Sequence, residues 1–380
     1  MIVSRLLHRR TLNSLPAVLL GLLMLGCTRS KPASIPPLAI NHPDEQTRRP
    51  RTVFSPETLV FPGNVVRLER PRRLFQPVQY LSGLEFEIRS LQSADDGESW
   101  TLGAPIARDS GANYYDPMVL RTSKGQLLLG SHRDGALVFF LSRDQGRTWK
   151  QSGRLAAPAG ISYVEAFLRR LVHAGSGADI ALAYAAIPRR GDSSWYELRN
   201  SSDDGRTWSQ PAIIGQGGAI PDAVRPGLGP VGSDGTLLVA FSRRKPNSDT
   251  VEVHLVRMGA QSLDTRYGPV RIVVVPDVAP GVGVLPIIAE CEDGPAVLLS
   301  TWNRKGVGRL MMYSAVDLLT ARTDPARQLV VQPGSSGGFG RLWITEGWSA
   351  HTHGVFVVVP TPSRSRIDDL SLPELDGCRT

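Results

Sequence analysis

Short apolar runs separated by glycine-containing turns recur along most of this chain. In each instance a short strand-like segment leads through a turn to a strongly apolar run. The apolar runs after the turns are Gln126–Gly130, Ile180–Ala185, Thr236–Phe241, Ala296–Thr301 and Val355–Val359. The turns step forward by roughly 55–60 residues, and no helical periodicity of useful length occurs beyond the N-terminal segment. This pattern predicts an all-β domain built from repeated units.

A second repeat has the form Ser-x-Asp-x-Gly-x-x-Trp and occurs three times. Its copies start at residues 93, 142 and 201, so they lie 49 and 59 residues apart (93 to 142, 142 to 201). A period in this range is typical of repeat architectures. The fixed positions are Ser93, Asp95, Gly97 and Trp100, then Ser142, Asp144, Gly146 and Trp149, then Ser201, Asp203, Gly205 and Trp208.

Each copy is interpreted as a tight turn between two strands rather than as a metal or catalytic site. An Asp carboxylate at a turn accepts hydrogen bonds from backbone N–H groups two residues on. Glycine permits a positive φ, and the tryptophan offers a large apolar face for packing. We therefore expect these aspartates to be structural.

The motif resembles the Asp box, or BNR repeat, of the sialidase-like β-propellers. That resemblance implies a six-bladed propeller of four-stranded blades, with strands A to D from the innermost outward and the boxes on the C–D turns. We expect residues 55–380 to form it, with residues 55–111 as one blade and five more after them. An N-terminal or C-terminal segment is expected to complete a blade shared by both.

The N-terminal residues are interpreted as a targeting segment, not as part of the fold. Arginines at 5, 9 and 10 precede a 12-residue apolar stretch, Leu15–Gly26, which is too short to span a bilayer. The following Met24-Leu25-Gly26-Cys27 resembles a bacterial lipobox, which implies that residues 1–26 are a lipoprotein signal and that Cys27 is lipidated. An ordinary secretory signal is the alternative. Thr28 after the cysteine favours the outer membrane by the same resemblance.

Composition constrains the function classes further. Residues 27–54 are rich in proline, arginine and polar residues and are predicted to be a flexible tether. Removing the signal lowers the formal charge from +8 to +5 (8 − 3, for three arginines and no acids), which gives no argument for nucleic acid binding. Cys291 and Cys378 are free to pair in an oxidising compartment. No metal-ligand spacing or cofactor motif occurs, and the only membrane contact expected is the N-terminal lipid.

Two sets of charged residues are predicted at the end of the blades opposite the boxes. Arginines recur in the loops between strands B and C, and carboxylates and arginines occur where A strands begin. The loop set includes Arg133, Arg243 and Arg304, and the A-strand set comprises Asp116, Glu165, Arg225 and Arg341. Charge on an innermost strand is costly unless it is paired or faces a cavity. These residues therefore form either a site for an anionic ligand or a salt-bridged plug.

The segments Val164-Glu165-Ala166-Phe167-Leu168 and Val224-Arg225-Pro226-Gly227-Leu228 also resemble blades of sialidase-fold glycosidases such as the exo-arabinanases. That resemblance implies an acid role for Glu165 and matches Arg225. The family's nucleophilic Glu corresponds here to Phe241-Ser242. A sialidase-type site would instead use three arginines for the substrate carboxylate, and Arg225 and Arg341 are candidates, with Arg133, Arg243 or Arg304 as the third.

Two functions follow from these residues. The first is a sialidase-like glycoside hydrolase of the bacterial cell envelope that acts on an anionic sugar terminus. Glycosidases use two carboxylates, and we assign Glu165 as general acid/base and Asp116 as the second carboxylate. The second is a non-catalytic propeller that binds a glycan or a partner protein at the cell surface. The oligomeric state stays open.

Overall fold

A computed structural model of the protein describes residues 38–39, 48–54, 60–69, 72–95, 99–171, 179–190, 193–218, 225–263, 266–280, 283–291, 294–304, 308–319, 327–331, 341–344, 354–361 and 364–371. These residues form strands and one short helix, in chain order β1 Leu38–Ala39, β2 Arg48–Phe54, β3 Val60–Pro62, β4 Val66–Glu69, β5 Arg72–Ser82, β6 Glu85–Ser93, β7 Thr101–Ala107, β8 Tyr114–Arg121, β9 Leu127–Arg133, β10 Ala136–Ser142, β11 Lys150–Leu155, β12 Ile161–Arg170, β13 Ile180–Pro188, β14 Trp195–Ser201, β15 Ala212–Gln216, β16 Gly227–Val231, β17 Thr236–Arg244, β18 Val251–Gly259, β19 Arg266–Val275, β20 Leu285–Cys291, β21 Gly294–Trp302, β22 Gly308–Ser314, α1 Ala315–Leu319, β23 Arg327–Val331, β24 Arg341–Ile344, β25 Gly354–Thr361 and β26 Arg364–Ser371. The prediction of an all-β chain is confirmed for the described residues, apart from the five residues of α1.

The strands form six sheets, numbered here in the chain order of the strands that follow residue 55. The second, third and fourth sheets each consist of four consecutive antiparallel strands, β8 to β11, β12 to β15 and β16 to β19. The first sheet has the order β3-β5-β6-β7, with β4 also paired to β5. The fifth sheet runs from β20 to β23, and the sixth contains β24, β25 and β26. Sequential antiparallel pairing therefore sets the repeat unit.

Two segments from before residue 55 join the last two sheets. Strand β2 pairs antiparallel with β26, in a register that includes Val53 opposite Arg366. Strand β1 pairs parallel with β23, with Leu38 opposite Leu329. Both strands lie within residues 27–54, the predicted tether, so the sheets extend into it. The sixth sheet thus combines strands from the two ends of the chain. Cys27 and residues 1–26 lie outside the described residues.

The central strands of the sheets are apolar on both faces because each face packs on a different neighbouring sheet. In β13, Ala181, Ala183 and Ala185 belong to a buried cluster with strands of the fourth sheet. The alternating residues Leu182 and Tyr184 belong to a cluster with strands of the second sheet. Since successive side chains of a strand point to opposite faces, a continuous apolar run is what this sandwiching requires. A fully buried Leu or Phe contributes about 1.5–3 kcal/mol.

The three Ser-x-Asp-x-Gly-x-x-Trp segments connect the third and fourth strands of the first three sheets, as predicted. Asp144 accepts hydrogen bonds from Thr148 N at 2.8 Å, from Thr148 Oγ1 at 2.6 Å and from Ser142 Oγ at 2.8 Å. The carboxylate thus bonds to the backbone four residues on, not two residues on as expected from the sequence. Thr207 repeats these bonds to Asp203.

The hydroxyl at the seventh position of the motif is a fixed feature that the sequence reasoning missed. Ser99 makes the same two bonds to Asp95, through N at 2.9 Å and Oγ at 2.6 Å. Hydrogen bonds from the Ser99 hydroxyl and backbone lower the pKa of Asp95 to about 2. Each motif is therefore a ring of hydrogen bonds closed around an ionised carboxylate.

In the second and third sheets, residues of the motif pack against the preceding sheet. Gly146 has a φ of +85°, and a Cβ there would lie 3.0 Å from the Phe75 ring in the first sheet. Trp149 packs on the same Phe75 ring with a centroid separation of 5.6 Å. In the third sheet Trp208 packs on Phe139 of the second at 5.0 Å. Gly97 lies outside the described residues.

We expect replacement of Asp144 by Asn to reduce stability above about pH 4 and to have little effect near pH 2. Burial raises the pKa of Asp144, but the hydrogen bonds from Thr148 and Ser142 outweigh it and lower the pKa from 3.8 to about 2. The contribution of this carboxylate is present above its unfolded pKa and is lost as the pH falls through about 2. Solvent screening limits it to about 1 kcal/mol.

Guanidinium unfolding of the wild type and of Asp144→Asn at pH 7 and pH 2.5 measures this difference. Glu290→Gln, at an exposed position of β20, is the matched control for loss of one carboxylate. Equal unfolding midpoints for the wild type and Asp144→Asn at pH 7 would contradict the structural role of the motif.

Candidate functional site

The antiparallel order of the strands separates the box turns from the predicted site residues. Consecutive hairpin turns lie at alternate ends of an antiparallel sheet. The β9–β10, β13–β14, β17–β18 and β21–β22 turns therefore share an end with the starts of the first strands, here called the loop end, and the boxes lie at the other end. Neighbouring first strands also contact one another, β8 with β12 and β12 with β16.

Asp116 and Glu165 occupy equivalent β-bulges in the first strands of the second and third sheets. Tyr115 pairs with His132 and Met118 with Gly130, so Asp116 and Pro117 together face one residue of β9. Val164 pairs with Ala185 and Phe167 with Ala183, which leaves Glu165 and Ala166 facing one residue of β13. A bulge redirects a side chain and is frequent next to active sites.

Both carboxylates adopt left-handed backbone conformations. The φ of Asp116 is +46° and that of Glu165 is +51°, and among the described non-glycine residues with positive φ these two alone lie within strands. A positive φ is unfavourable for most side chains, and for Glu more than for Asp. Such strain is concentrated at functional sites, so the bulges mark these two positions independently of their charge.

Three side chains from two sheets surround the bulge at Asp116. Gln79 of the first sheet accepts a hydrogen bond from Asp116 N at 3.3 Å. Ser131 donates to Tyr115 O at 2.6 Å and fixes the residue before the bulge. The Asp116 Oδ2 atom lies 3.5 Å from His132 Nδ1, and the two side chains are only 13 % and 15 % exposed.

Charges from the second and fourth sheets meet at His132. Burial lowers the pKa of His132, Asp116 acts to raise it, and Arg225 acts to lower it further. Arg225 lies two residues ahead of β16 and is itself buried. The structure thus brings Asp116 and Arg225 into one electrostatic environment, although they are more than 100 residues apart in the chain.

A buried polar network lies opposite the Glu165 bulge. Tyr184, the residue of β13 that faces Glu165 and Ala166, donates to Glu197 Oε2 at 2.5 Å and accepts from Arg199 Nε at 2.6 Å. Burial and the hydrogen bond to Glu197 raise the pKa of Tyr184. The phenol is therefore protonated and buried, so it does not supply a nucleophile.

Arg133 is held in ion pairs at the edge of the loop end. It contacts Asp109 and lies 3.2 Å from Asp134 Oδ2. It also donates to Tyr114 Oη at 3.0 Å, and burial together with Asp109 raises the pKa of Tyr114 to about 12. Two carboxylates thus neutralise the guanidinium that the sequence suggested for substrate binding.

The other predicted arginines have different environments. Arg243 is exposed at the end of β17, and Arg304 lies 3.6 Å from Asp249 Oδ2 in an exposed ion pair. Arg341 is the first residue of β24, and its side chain is outside the described part of the chain. Arg225 is therefore the predicted arginine whose environment includes a predicted catalytic residue.

Ser242 replaces the carboxylate expected from the arabinanase resemblance, and it is fully buried. Its exposed fraction is 1 %, and its Oγ atom has no hydrogen-bond partner among the described parts of the chain. The backbone carbonyl accepts from Tyr196 Oη at 3.2 Å. This position therefore supplies no charge to the loop end.

Among the described residues, one cysteine forms a disulfide, and neither a metal-binding cluster nor a membrane-spanning helix is found. Cys291 is disulfide-bonded, whereas Cys378 lies outside the described residues. Over the same part of the chain, no cluster of three or more His, Cys, Asp or Glu side chains is suited to a metal ion. No helix there is long and apolar enough to cross a membrane.

Solved structures resemble this chain over most of its length. An α-L-arabinanase from Penicillium chrysogenum complexed with arabinobiose has 14 % identity, a TM-score of 0.54, and coverage of 86 % of this chain and 98 % of its own. An α-L-arabinofuranosidase from Fusarium graminearum in complex with an iminosugar inhibitor has 12 % identity, a TM-score of 0.56, and coverage of 84 % and 97 %.

A protein of unknown function from Dyadobacter fermentans matches with 15 % identity, a TM-score of 0.53, and coverage of 86 % and 99 %. No family model matches the sequence, and no curated protein matches it. The two enzymes are β-propeller glycoside hydrolases. At such low identity the likeness establishes the fold, an all-β architecture of the kind found in β-propeller glycosidases.

We expect Glu165→Gly to be more stable than Glu165→Ala by about 1 kcal/mol, because only glycine tolerates a positive φ without strain. Both variants lose the same carboxylate, so their difference isolates the backbone strain at the bulge. Chemical denaturation of the two variants at pH 7 measures it.

Lys150, an exposed and regularly paired position at the start of β11, gives the matched control. There the order should reverse, because glycine destabilises a regular strand relative to alanine. Equal stability of Glu165→Gly and Glu165→Ala would contradict the strained bulge.

Proposed function

We propose that this chain is a six-bladed, sialidase-like propeller glycosidase of the bacterial cell envelope that removes a terminal sugar. The single observation that supports it is the pair of carboxylates, Asp116 and Glu165, at equivalent strained bulges on first strands that contact each other. Two carboxylates flanking a glycosidic bond are the usual chemical requirement for its hydrolysis.

In the proposed reaction Glu165 donates a proton to the glycosidic oxygen while the bond from the anomeric carbon to that oxygen breaks. Asp116 is the second carboxylate. It takes a proton from the attacking water, or it bonds to the anomeric carbon before water releases it. In both routes one water is consumed and the leaving sugar gains a hydroxyl. In the first route Glu165 ends deprotonated and Asp116 protonated, and proton exchange with the solvent restores both groups. In the second route Glu165 takes a proton from the water that releases the sugar and so returns to its starting state.

The proposed substrate carries an anionic group, for which Arg225 is the recognition residue. A guanidinium pairs bidentately with a carboxylate, and a buried arginine at the loop end suits such a group better than an exposed one does. Arg341, Arg243 and Arg304 are the further candidates for substrate contacts. The ion pairs of Arg133 with Asp109 and Asp134 make it the weakest candidate of the set.

The proposed location is the bacterial outer membrane, through a lipid on Cys27. It is supported by the lipobox-like Met24-Leu25-Gly26-Cys27 and by Thr28 after it. Carbohydrate is then the expected ligand, and no nucleic acid partner is expected.

We expect the full-length protein to hydrolyse at least one class of fluorogenic sialoside, arabinoside or uronide, and Glu165→Gln to lower kcat by about 100-fold or more. The amide keeps the size of the side chain but can no longer donate the proton. Glu290→Gln, on β20, is the matched control and should leave the rate unchanged.

Steady-state kinetics on the three substrate classes provide the measurement. Full hydrolysis by Glu165→Gln would reject the assigned acid/base. If the wild type cleaves none of the substrates yet binds a glycan, the chain is a non-catalytic propeller.

We expect Arg225→Gln to raise KM for an anionic substrate by about 10- to 100-fold, because the charged hydrogen bond contributes about 1.5–3 kcal/mol. The same change should leave KM for a neutral analogue nearly unaltered. Arg257→Gln, which removes an exposed ion pair with Asp234 at the opposite end of the sheets, is the control. Equal effects of Arg225→Gln on the charged and neutral substrates would show that Arg225 does not recognise the anionic group.

A further inference from the structure

His132 lies beside Asp116 at the loop end, and the sequence reasoning assigned it no role. Its Nδ1 atom lies 3.5 Å from Asp116 Oδ2, which is longer than a normal hydrogen bond. That nitrogen is buried and makes no hydrogen bond with any residue that the structure describes. An unsatisfied buried polar atom is unfavourable, so a small movement of the carboxylate towards Nδ1 would be stabilising.

The imidazole ring is held rigidly by its neighbours. It stacks on the Tyr115 ring with a centroid separation of 4.9 Å and an interplanar angle of 18°. Tyr115 in turn packs against Phe86 of the first sheet at 5.4 Å. The backbone of His132 pairs with both neighbouring strands, opposite Tyr115 and opposite Leu137. The imidazole ring therefore has a fixed position next to Asp116, whose carboxylate lies on a strained bulge.

We propose that His132 is a positioning residue that holds the Asp116 carboxylate in the orientation required for the proposed hydrolysis. The inference rests on the proposed function, since Asp116 is the second carboxylate there. Hydrogen bonds at a catalytic site are often long without ligand and shorten when substrate binds. The neutral ring, with its proton on Nδ1, donates to Oδ2 and so fixes which oxygen faces the sugar.

The ionisation of His132 fits this role. Burial lowers its pKa and keeps the ring neutral near pH 7, with Asp116 opposing that shift and Arg225 reinforcing it. A neutral ring directs the carboxylate with a hydrogen bond and leaves its negative charge available for the reaction. The charged groups acting on the ring are Asp116 on β8 and Arg225 ahead of β16.

The first test is independent of activity. Histidine NMR titration of the full-length protein should show a lower pKa for His132 in Asp116→Asn than in the wild type, because the carboxylate favours the charged ring. His254 is an internal control, since its neighbouring carboxylate is Glu252, at 3.4 Å. It should shift in Glu252→Gln and not in Asp116→Asn. An unchanged titration of His132 in Asp116→Asn would overturn the pairing.

The second test separates the donor from the ring. His132→Phe retains a ring to stack on Tyr115 but has no donor, whereas His132→Asn retains a donor near the Nδ1 position. We expect His132→Phe to lower kcat at least 10-fold with little change in KM, and His132→Asn to restore most of it. The double variant Asp116→Asn/His132→Phe should be no slower than Asp116→Asn alone, because both changes affect one unit.

Equal activity of His132→Phe and the wild type, or additive losses in the double variant, would overturn the positioning role. A wild type that hydrolyses no glycan would reject the proposed function. In that case the NMR titration still decides whether His132 and Asp116 are coupled, so the two failures are distinguishable.

Discussion

The constraint on which this structure depends is that its sheets are apolar on both faces. A strand such as β13, buried along most of its length, cannot be exposed on either side without a large hydrophobic cost. Each such sheet must lie between two others, and the alternating residues of β13 are divided between the two clusters accordingly. The side-chain pattern alone therefore requires each of these sheets to pack between two others, without any contribution from polar contacts.

Polar contacts between the sheets then fix the position of one sheet against the next. Charged residues lie together at the loop end. At the end of the sheets that carries the Ser-x-Asp-x-Gly-x-x-Trp motifs, Gly146 and Trp149 contact Phe75 of the preceding sheet. Arg73 of that sheet donates a hydrogen bond to Gln145 O at 2.6 Å. Asn64 of the first sheet makes two hydrogen bonds with the backbone of Val119 in the second, at 2.5 and 2.8 Å. With the sheets held in this way, the two bulges lie on contacting strands at the loop end.

Much of the fold could be predicted from the sequence because its signals are local. The three motifs, the glycine turns and the apolar runs identified all-β repeats, and the strand order places the motifs on the predicted turns. The participation of β2 in the sixth sheet was less evident, because Arg48–Phe54 has the polar, proline-containing composition of a linker. Its pairing with β26 depends on a partner more than 300 residues away.

The candidate site was predictable only in part, because its features depend on tertiary contacts. Asp116, Glu165 and Arg225 stand out as charges near the starts of the first strands of their sheets. The structure brings Asp116 and Arg225 into the environment of His132. The positive φ of the two carboxylates leaves no trace in the sequence, since glycine or asparagine would be the expected residue there. The partners of Arg133 and Arg304 depend on loops that meet only in the folded chain.

The strained bulge at Glu165 also has an evolutionary consequence. One base change converts a glutamate codon into a glycine codon, and glycine is the residue that the local backbone favours. If the carboxylate is required for activity, one of the variants that a single base change produces folds well and lacks function. Lineages that no longer need the activity should then accumulate glycine at position 165 ahead of other residues. Comparison of related chains at this codon would separate those that keep the activity from those that have lost it.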